Sequence, residues 1–260
     1  MYPLFFKIGP IPVHSYYVVW ALALSLGVIY TRYRASRVYG LEDDLIRKTL
    51  FFVFIGMLIG ARLGGYLDHW SYYAEHPEKL FNPLEGALSS TTAFLGGGVS
   101  GIIYCWKNKI PVGKVADAAS IPAALTVAIG RIGCFLNGCC LSRPTSVPWA
   151  VHFPKDPIGL MRHPVQIYYS FFSLMIMITI VVLEKNYFRP SQRKSQSAIL
   201  WPLFMILYGL MRFAVDFIRE GDRIFGLRTA QISGIIVAVT GFIWVWHSLR
   251  QERHRTSEYV

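Results

Sequence analysis

Apolar residues fall in long, nearly unbroken blocks along this chain rather than at a strand or amphipathic-helix period. The blocks cover residues 16–30, 50–67, 90–106, 115–135, 165–183, 198–218 and 229–249. Each predicts a helix, and most approach the roughly 20 residues that cross a hydrocarbon core about 30 Å thick. The first block is short. The third contains Gly96-Gly97-Gly98, which weakens a helix but permits close backbone packing, or a break lining a polar cavity. The predicted fold class is all-α, a polytopic membrane protein of about seven transmembrane helices, with residues 1–260 forming one domain.

Composition agrees: 16% of residues are charged, against about 25% in a soluble domain. A net charge of +11 would suit nucleic acid, but the basic residues lie between the apolar blocks. There they set topology and attract anionic lipid, so no nucleic-acid partner is expected. Segments 31–49, 107–114, 184–197 and the tail carry fifteen Lys and Arg, among them Arg34, Arg189, Arg193 and Lys194. The intervening segments carry eight, among them Lys155, Arg162, Arg219, Arg223 and Arg228. The richer side is predicted to be cytoplasmic, which places the N-terminus outside and the C-terminus inside. No basic region, apolar core and small-residue cleavage site marks a signal peptide at the start.

Arg62, Arg131 and Arg212 remain, within or at the edges of the blocks. A guanidinium in a bilayer costs roughly 2.5–3.5 kcal/mol on insertion scales, so it is usually kept for a task. Arg131 stands in Gly130-Arg-Ile-Gly133-Cys134-Phe-Leu-Asn137-Gly138-Cys139-Cys140. It either holds an anion such as a phosphate or pairs with a carboxylate or with backbone carbonyls. Tyr208, Arg212, Asp216 and Arg219 recur at i, i+4, i+8 and i+11 and predict one polar helix face. That face lines a hydrated or headgroup-filled cavity, or Arg212 and Asp216 simply pair. Arg162-His163-Pro164 precedes the fifth block, followed by Gln166, Tyr168 and Tyr169. His163 is a general base or a loop hydrogen-bonding group. In the predicted orientation Arg62, Arg131, Arg212 and Arg219 share the outer half of the membrane, where a glycerophosphate headgroup is the abundant anion. The spacing C-x4-C-C matches no standard zinc pattern, so no metal is expected, and Cys139 and Cys140 are read as packing or surface thiols.

These residues resemble the bacterial prolipoprotein diacylglyceryl transferase family over nearly the whole chain. The resemblance rests on Ile8-Gly-Pro10-Ile-Pro-Val-His14-Ser-Tyr16, Gly60-Ala-Arg62-Leu-Gly64, Gly97-Gly98-Val-Ser-Gly101 and the Gly130–Gly138 run. It continues through Arg162-His163-Pro164-Val-Gln166-Ile-Tyr168, Tyr208-Gly-Leu-Met-Arg212 with Asp216 and Arg219, Gly226-Leu227 and Gln231. It implies an enzyme of the bacterial inner membrane, with phosphatidylglycerol and preprolipoprotein signal peptides bearing a lipobox as partners and no cofactor. The diacylglyceryl group would pass to the lipobox thiol, forming a thioether and releasing glycerol 1-phosphate. Arg131 and Arg212 would hold the phosphate, with Tyr16, Tyr208 and His163 as further catalytic positions. Arg62, Asn137, Gln166 and Arg219 would complete the lipid site. The chain departs from the family in the run Phe94-Leu95-Gly96-Gly97-Gly98-Val99-Ser100-Gly101, which lacks the histidine that usually precedes a Gly-Gly pair, and at Cys134 and Cys139, where Asn and Glu are common. A relative that binds phosphatidylglycerol without transferring it, or that serves another acceptor, is the alternative.

Overall fold

The structure is a computed structural model that describes residues 2–9, 11–81, 89–154, 156–188, 198–220 and 226–257. Pro10, Lys155, Arg189, Arg193, Lys194 and Arg223 lie outside the described residues. A short antiparallel hairpin, β1 (Leu4–Ile8) and β2 (Ile11–His14), leads into α1 (Ser15–Tyr33). Then come α2 (Asp43–Asp68), a short α3 (Trp70–Glu75), α4 (Ser90–Lys107) and α5 (Val112–Asn137). A loop with the two-residue strands β3 (Val151–His152) and β4 (Met161–Arg162) precedes α6 (Val165–Asn186), α7 (Leu200–Val215) and α8 (Thr229–Ser257).

Every apolar block lies mainly in one long helix. The chain is mostly helical, and α2, α5, α6, Leu200–Ile218 and Thr229–Arg250 are long and apolar enough to cross a membrane. Apolar side chains point outward, as with Phe242 of α8 at 64% exposure, the surface expected of helices bathed in lipid. The core lies between α5, α6 and α7, where Ile121, Ala124, Tyr169, Ile180, Leu200 and Phe204 are buried.

Small residues set the helix pairings, as they do where lipid removes the hydrophobic drive for association. The glycine run of α4 does not break the helix. A Cβ on Gly60 would collide with the Thr92 carbonyl, and one on Gly96 with the Gly56 carbonyl, so these glycines bring α2 and α4 backbone to backbone. Gly60→Ala is therefore expected to cost about 1–3 kcal/mol by overpacking, read as a lower melting temperature in detergent. An unchanged temperature would contradict this packing.

The end of the bundle away from His14 is tied by buried charge. Pro122 lies inside α5 and cannot donate to the carbonyl of Ala118, four residues before it. The Arg34 Nε donates to that carbonyl at 3.0 Å, and its Nη2 pairs with Glu184 at 2.6 Å. The Tyr39 hydroxyl also donates to Glu184, at 2.8 Å. Arg34 lies in a π-helical turn, Arg34–Val38, that extends α1. It is a buried tie and not a free topological charge. Nearby, the Asp117 carboxylate accepts from the backbone N–H groups of Ile199 and Trp201 at 2.9–3.1 Å. A carboxylate from α5 thus caps the positive end of α7.

Candidate active site at one end of the bundle

Chain direction assembles the site. Tyr16 opens α1, Arg131 lies in the penultimate turn of α5, Gln166 and Tyr169 lie early in α6, Arg212 lies in the last turn of α7 and Ser233 lies early in α8. All therefore share one end of the bundle, opposite Arg34 and Glu184.

Gly130 and Gly133 serve helix packing. A Cβ on Gly130 would come within 2.7 Å of the Trp20 ring, and one on Gly133 within 3.0 Å of Val19. Their absence lets α1 lie against α5 and brings Tyr16 within electrostatic reach of Cys134, Cys139 and Cys140. α5 then ends in a Schellman motif. Gly138 is left-handed (φ 69°), its N–H donates to Phe135 and the Cys139 N–H donates to Cys134. This geometry folds the residue after the glycine back over the third residue from the helix end, so Cys139 returns onto Cys134. The three sulfurs Cys134, Cys139 and Cys140 lie within 4.8 Å of one another. The thiols of Cys134 and Cys139, then the Arg219 and Arg131 guanidiniums, hold the Cys140 thiol below its ordinary range. Asn137 hydrogen-bonds the Cys139 thiol. The fully buried Gln166 fixes the turn by donating from Nε2 to the carbonyls of Cys139 and Cys140.

The arginines divide into two groups. Arg162 is fully used in structure. Its Nε and Nη2 bond Asp156 at 2.7 and 3.1 Å, and its Nη1 bonds the Ser142 carbonyl and Glu220. Arg162 holds the Asp156 carboxyl well below the usual carboxylate range, to about 2. Asp216 is shared by Arg219 at 3.5 Å and Arg228 at 3.8 Å. The Arg228 Nη1 also donates to the Asp216 carbonyl at 2.6 Å. Arg131 and Arg212 differ: among the described residues neither meets a carboxylate. Arg131 stacks over the Tyr169 ring, 4.3 Å from its centroid, and makes no hydrogen bond among those residues. Arg212 has only neutral partners: the Ala230 carbonyl at 3.3 Å, Ser233 Oγ at 3.1 Å and the Tyr208 hydroxyl at 3.4 Å. Tyr208 also lies within electrostatic reach of Arg131.

The alternative pairing of Arg212 with Asp216 is thus not formed. The single polar face predicted over Tyr208–Arg219 also needs correction. α7 ends at Val215, Asp216–Ile218 forms a 3-10 turn, and Arg219 is extended with ψ 160°. The tighter turn breaks the i+11 register. Arg219 reaches the site from a loop, bridged to Ser142.

Tyr169, absent from the predicted site, is its hub. Its ring is buried and surrounded by Arg131, Arg212 and Arg219. The sequence names Tyr169 only as a neighbour of Gln166 and Tyr168 and gives it no role, because that role comes from partners on other elements. Arg62 is engaged elsewhere. Its Nε donates to the Tyr66 hydroxyl at 2.7 Å, and its Nη2 lies 3.5 Å from the Lys79 carbonyl. The ring of His163 belongs to the loop, with Nδ1 3.2 Å from the Tyr168 hydroxyl, which also accepts from Trp149 at 2.6 Å.

Buried side-chain polar atoms without a hydrogen-bond partner gather here. Among the described residues there are six, and Trp20 Nε1, Gln166 Oε1, Tyr169 Oη, Asp216 Oδ2 and Arg219 Nε are five of them. Such groups are normally satisfied, so this concentration makes this end of the bundle the candidate site for a polar ligand.

The sequence is similar to known proteins over most of its length. The family model described as prolipoprotein diacylglyceryl transferase matches residues 3–247. The chain belongs to the prolipoprotein diacylglyceryl transferase family. It is 32% identical to the phosphatidylglycerol–prolipoprotein diacylglyceryl transferase of Geobacter sulfurreducens, over 89% of this chain and 87% of that protein. It is 31% identical to the protein of the same name from Campylobacter lari, over 91% and 89%, and 29% identical to that from Nostoc sp., over 94% and 89%. Membership of this family and the apolar helices make it a multi-pass membrane protein.

Proposed function

We propose that this protein transfers the diacylglyceryl group of phosphatidylglycerol to a prolipoprotein cysteine, at the end of the bundle where Arg131 and Arg212 lie. The observation that carries the assignment is a pair of guanidiniums that meet no carboxylate among the described residues, set around Tyr169 and Tyr208 among unsatisfied polar groups. They are free to take a phosphodiester, where the forked guanidinium matches two oxygens at once. In the reaction the acceptor sulfur bonds to the glyceryl carbon that carries the phosphate. The bond from that carbon to the phosphate oxygen breaks, and glycerol 1-phosphate leaves with the electron pair. Arg131 and Arg212 stabilise the charge that grows on the leaving oxygens. Tyr208 orients Arg212, Tyr16 and Asn137 supply neutral polar contacts beside the reacting carbon, Gln166 fixes the turn carrying Cys139, and Arg219 adds positive field from the loop. The acceptor thiol must lose its proton to act as a nucleophile. His163 accepts it at Nε2 in the tautomer whose Nδ1–H donates to the Tyr168 hydroxyl.

The excess of basic residues in the segments at the opposite end of the bundle supports a site at the outer face of the bacterial inner membrane. The acceptor is the lipobox cysteine of a preprolipoprotein signal peptide, presented from the bilayer. Phosphatidylglycerol labelled in its acyl chains tests the proposal when incubated with purified protein and a lipobox peptide. Label is expected to move to the peptide. Label that stays in bound lipid overturns transfer and favours the lipid-binding relative.

A further inference from the structure

The catalytic reading gives no task to Cys134, Cys139 and Cys140. Their sulfurs nevertheless lie within 4.8 Å of one another, with Cys139 and Cys140 at 3.4 Å. We propose that they form a three-thiolate site for a soft divalent cation, Zn2+ or Cd2+.

Distance is the first argument. With a metal–sulfur bond of about 2.3 Å, three sulfurs around one ion stand roughly 3.7–4.0 Å apart, so shifts of up to about 1 Å complete the set. Backbone design is the second. Gly138 (φ 69°) and Cys140 (φ 65°) are both left-handed. Gly138 takes that conformation freely, whereas a non-glycine residue there is uncommon and costs strain. Together they turn Cys139 and Cys140 back onto the last turns of α5. Gln166, buried in α6, bonds both of their carbonyls and holds the turn in place. A packing thiol needs no such scaffold.

Charge is the third argument. Three thiolates and a divalent ion leave one net negative charge, and Arg131 and Arg219 both lie within electrostatic reach of Cys140. Binding releases the thiol protons to water, up to three per ion, and no oxidant or reductant is needed. Thiolates select soft and borderline cations over Mg2+ or Ca2+. Because Arg131 adjoins the sulfurs, a bound ion would occupy the wall of the phosphate site.

The experiment uses the full-length protein in detergent with a phosphine reductant and no lipid, so its outcome is independent of the transferase reading. Cd2+ is titrated and the ultraviolet thiolate-to-cadmium charge-transfer band followed. One equivalent is expected to bind, with Zn2+ displacing it. Cys105→Ser, a buried thiol at the other end of the bundle, is expected to leave the titration unchanged. Cys134→Ser, Cys139→Ser and Cys140→Ser are each expected to weaken binding by about 100-fold, at or beyond the upper end of losses seen for outer-shell changes. Mass spectrometry of iodoacetamide-treated wild type serves as a second readout, with bound Cd2+ expected to protect Cys139 and Cys140. A wild type without the band, a band that survives in Cys139→Ser/Cys140→Ser, or alkylation unaffected by Cd2+ would overturn the site.

Discussion

Replacing Arg131 by alanine is expected to lower transfer by at least 10²–10³-fold, the order of effect seen when one donor to a developing oxyanion is removed. The fold should survive. Arg131 makes no hydrogen bond and no ion pair among the described residues and rests on the Tyr169 ring, so its loss leaves no carboxylate stranded. A purified variant that melts like wild type but transfers below a hundredth of its rate is the predicted outcome. Arg131→Lys keeps the charge but loses the fork, and should recover only a minor part. An alanine variant with wild-type turnover would remove the phosphate clamp from the account.

Arg34→Ala should behave in the opposite way. The guanidinium is buried, paired with Glu184 at 2.6 Å and bonded to the Ala118 carbonyl that Pro122 leaves without a helical donor. Removing one member of a buried pair typically costs about 3–5 kcal/mol. Here it leaves both the Glu184 carboxylate and that carbonyl short of a partner. A large fall in melting temperature is therefore expected, while the Michaelis constant for phosphatidylglycerol in the surviving folded fraction stays near the wild-type value. Wild-type thermal stability would show the pair to be idle. Together the two variants separate an arginine held for the ligand from one held for the fold.

The helices were legible because a bilayer imposes length and apolarity on anything that crosses it. Their ends were less so. α2 begins at Asp43, seven residues before its apolar block, since Asp43 and Asp44 suit the positive end of a helix while carrying no apolar signal. Buried ties such as Arg34 to Glu184 and Asp117 to Trp201 join residues 150 and 84 positions apart, and periodicity has no information about them. The site was partly readable. Arg131 and Arg212 stood out by the cost of charge in an apolar block. Tyr169 did not, because its importance comes from three guanidiniums on other elements. Arg219 was placed by a helical register that the 3-10 turn at Asp216 interrupts. The thiol cluster depends on a Schellman turn. The signal was present in Gly138 followed by Cys139, with Cys134 one turn earlier, but no standard metal spacing pointed to it.

The most direct test of the central claim follows both products at once. Purified protein is mixed with phosphatidylglycerol and a lipobox peptide in detergent. The mass of the peptide and the glycerol 1-phosphate released are then measured over time. The account predicts a peptide heavier by one diacylglyceryl group and one glycerol 1-phosphate for each peptide modified. An unmodified peptide with no glycerol 1-phosphate, from protein that still binds the lipid, would contradict it.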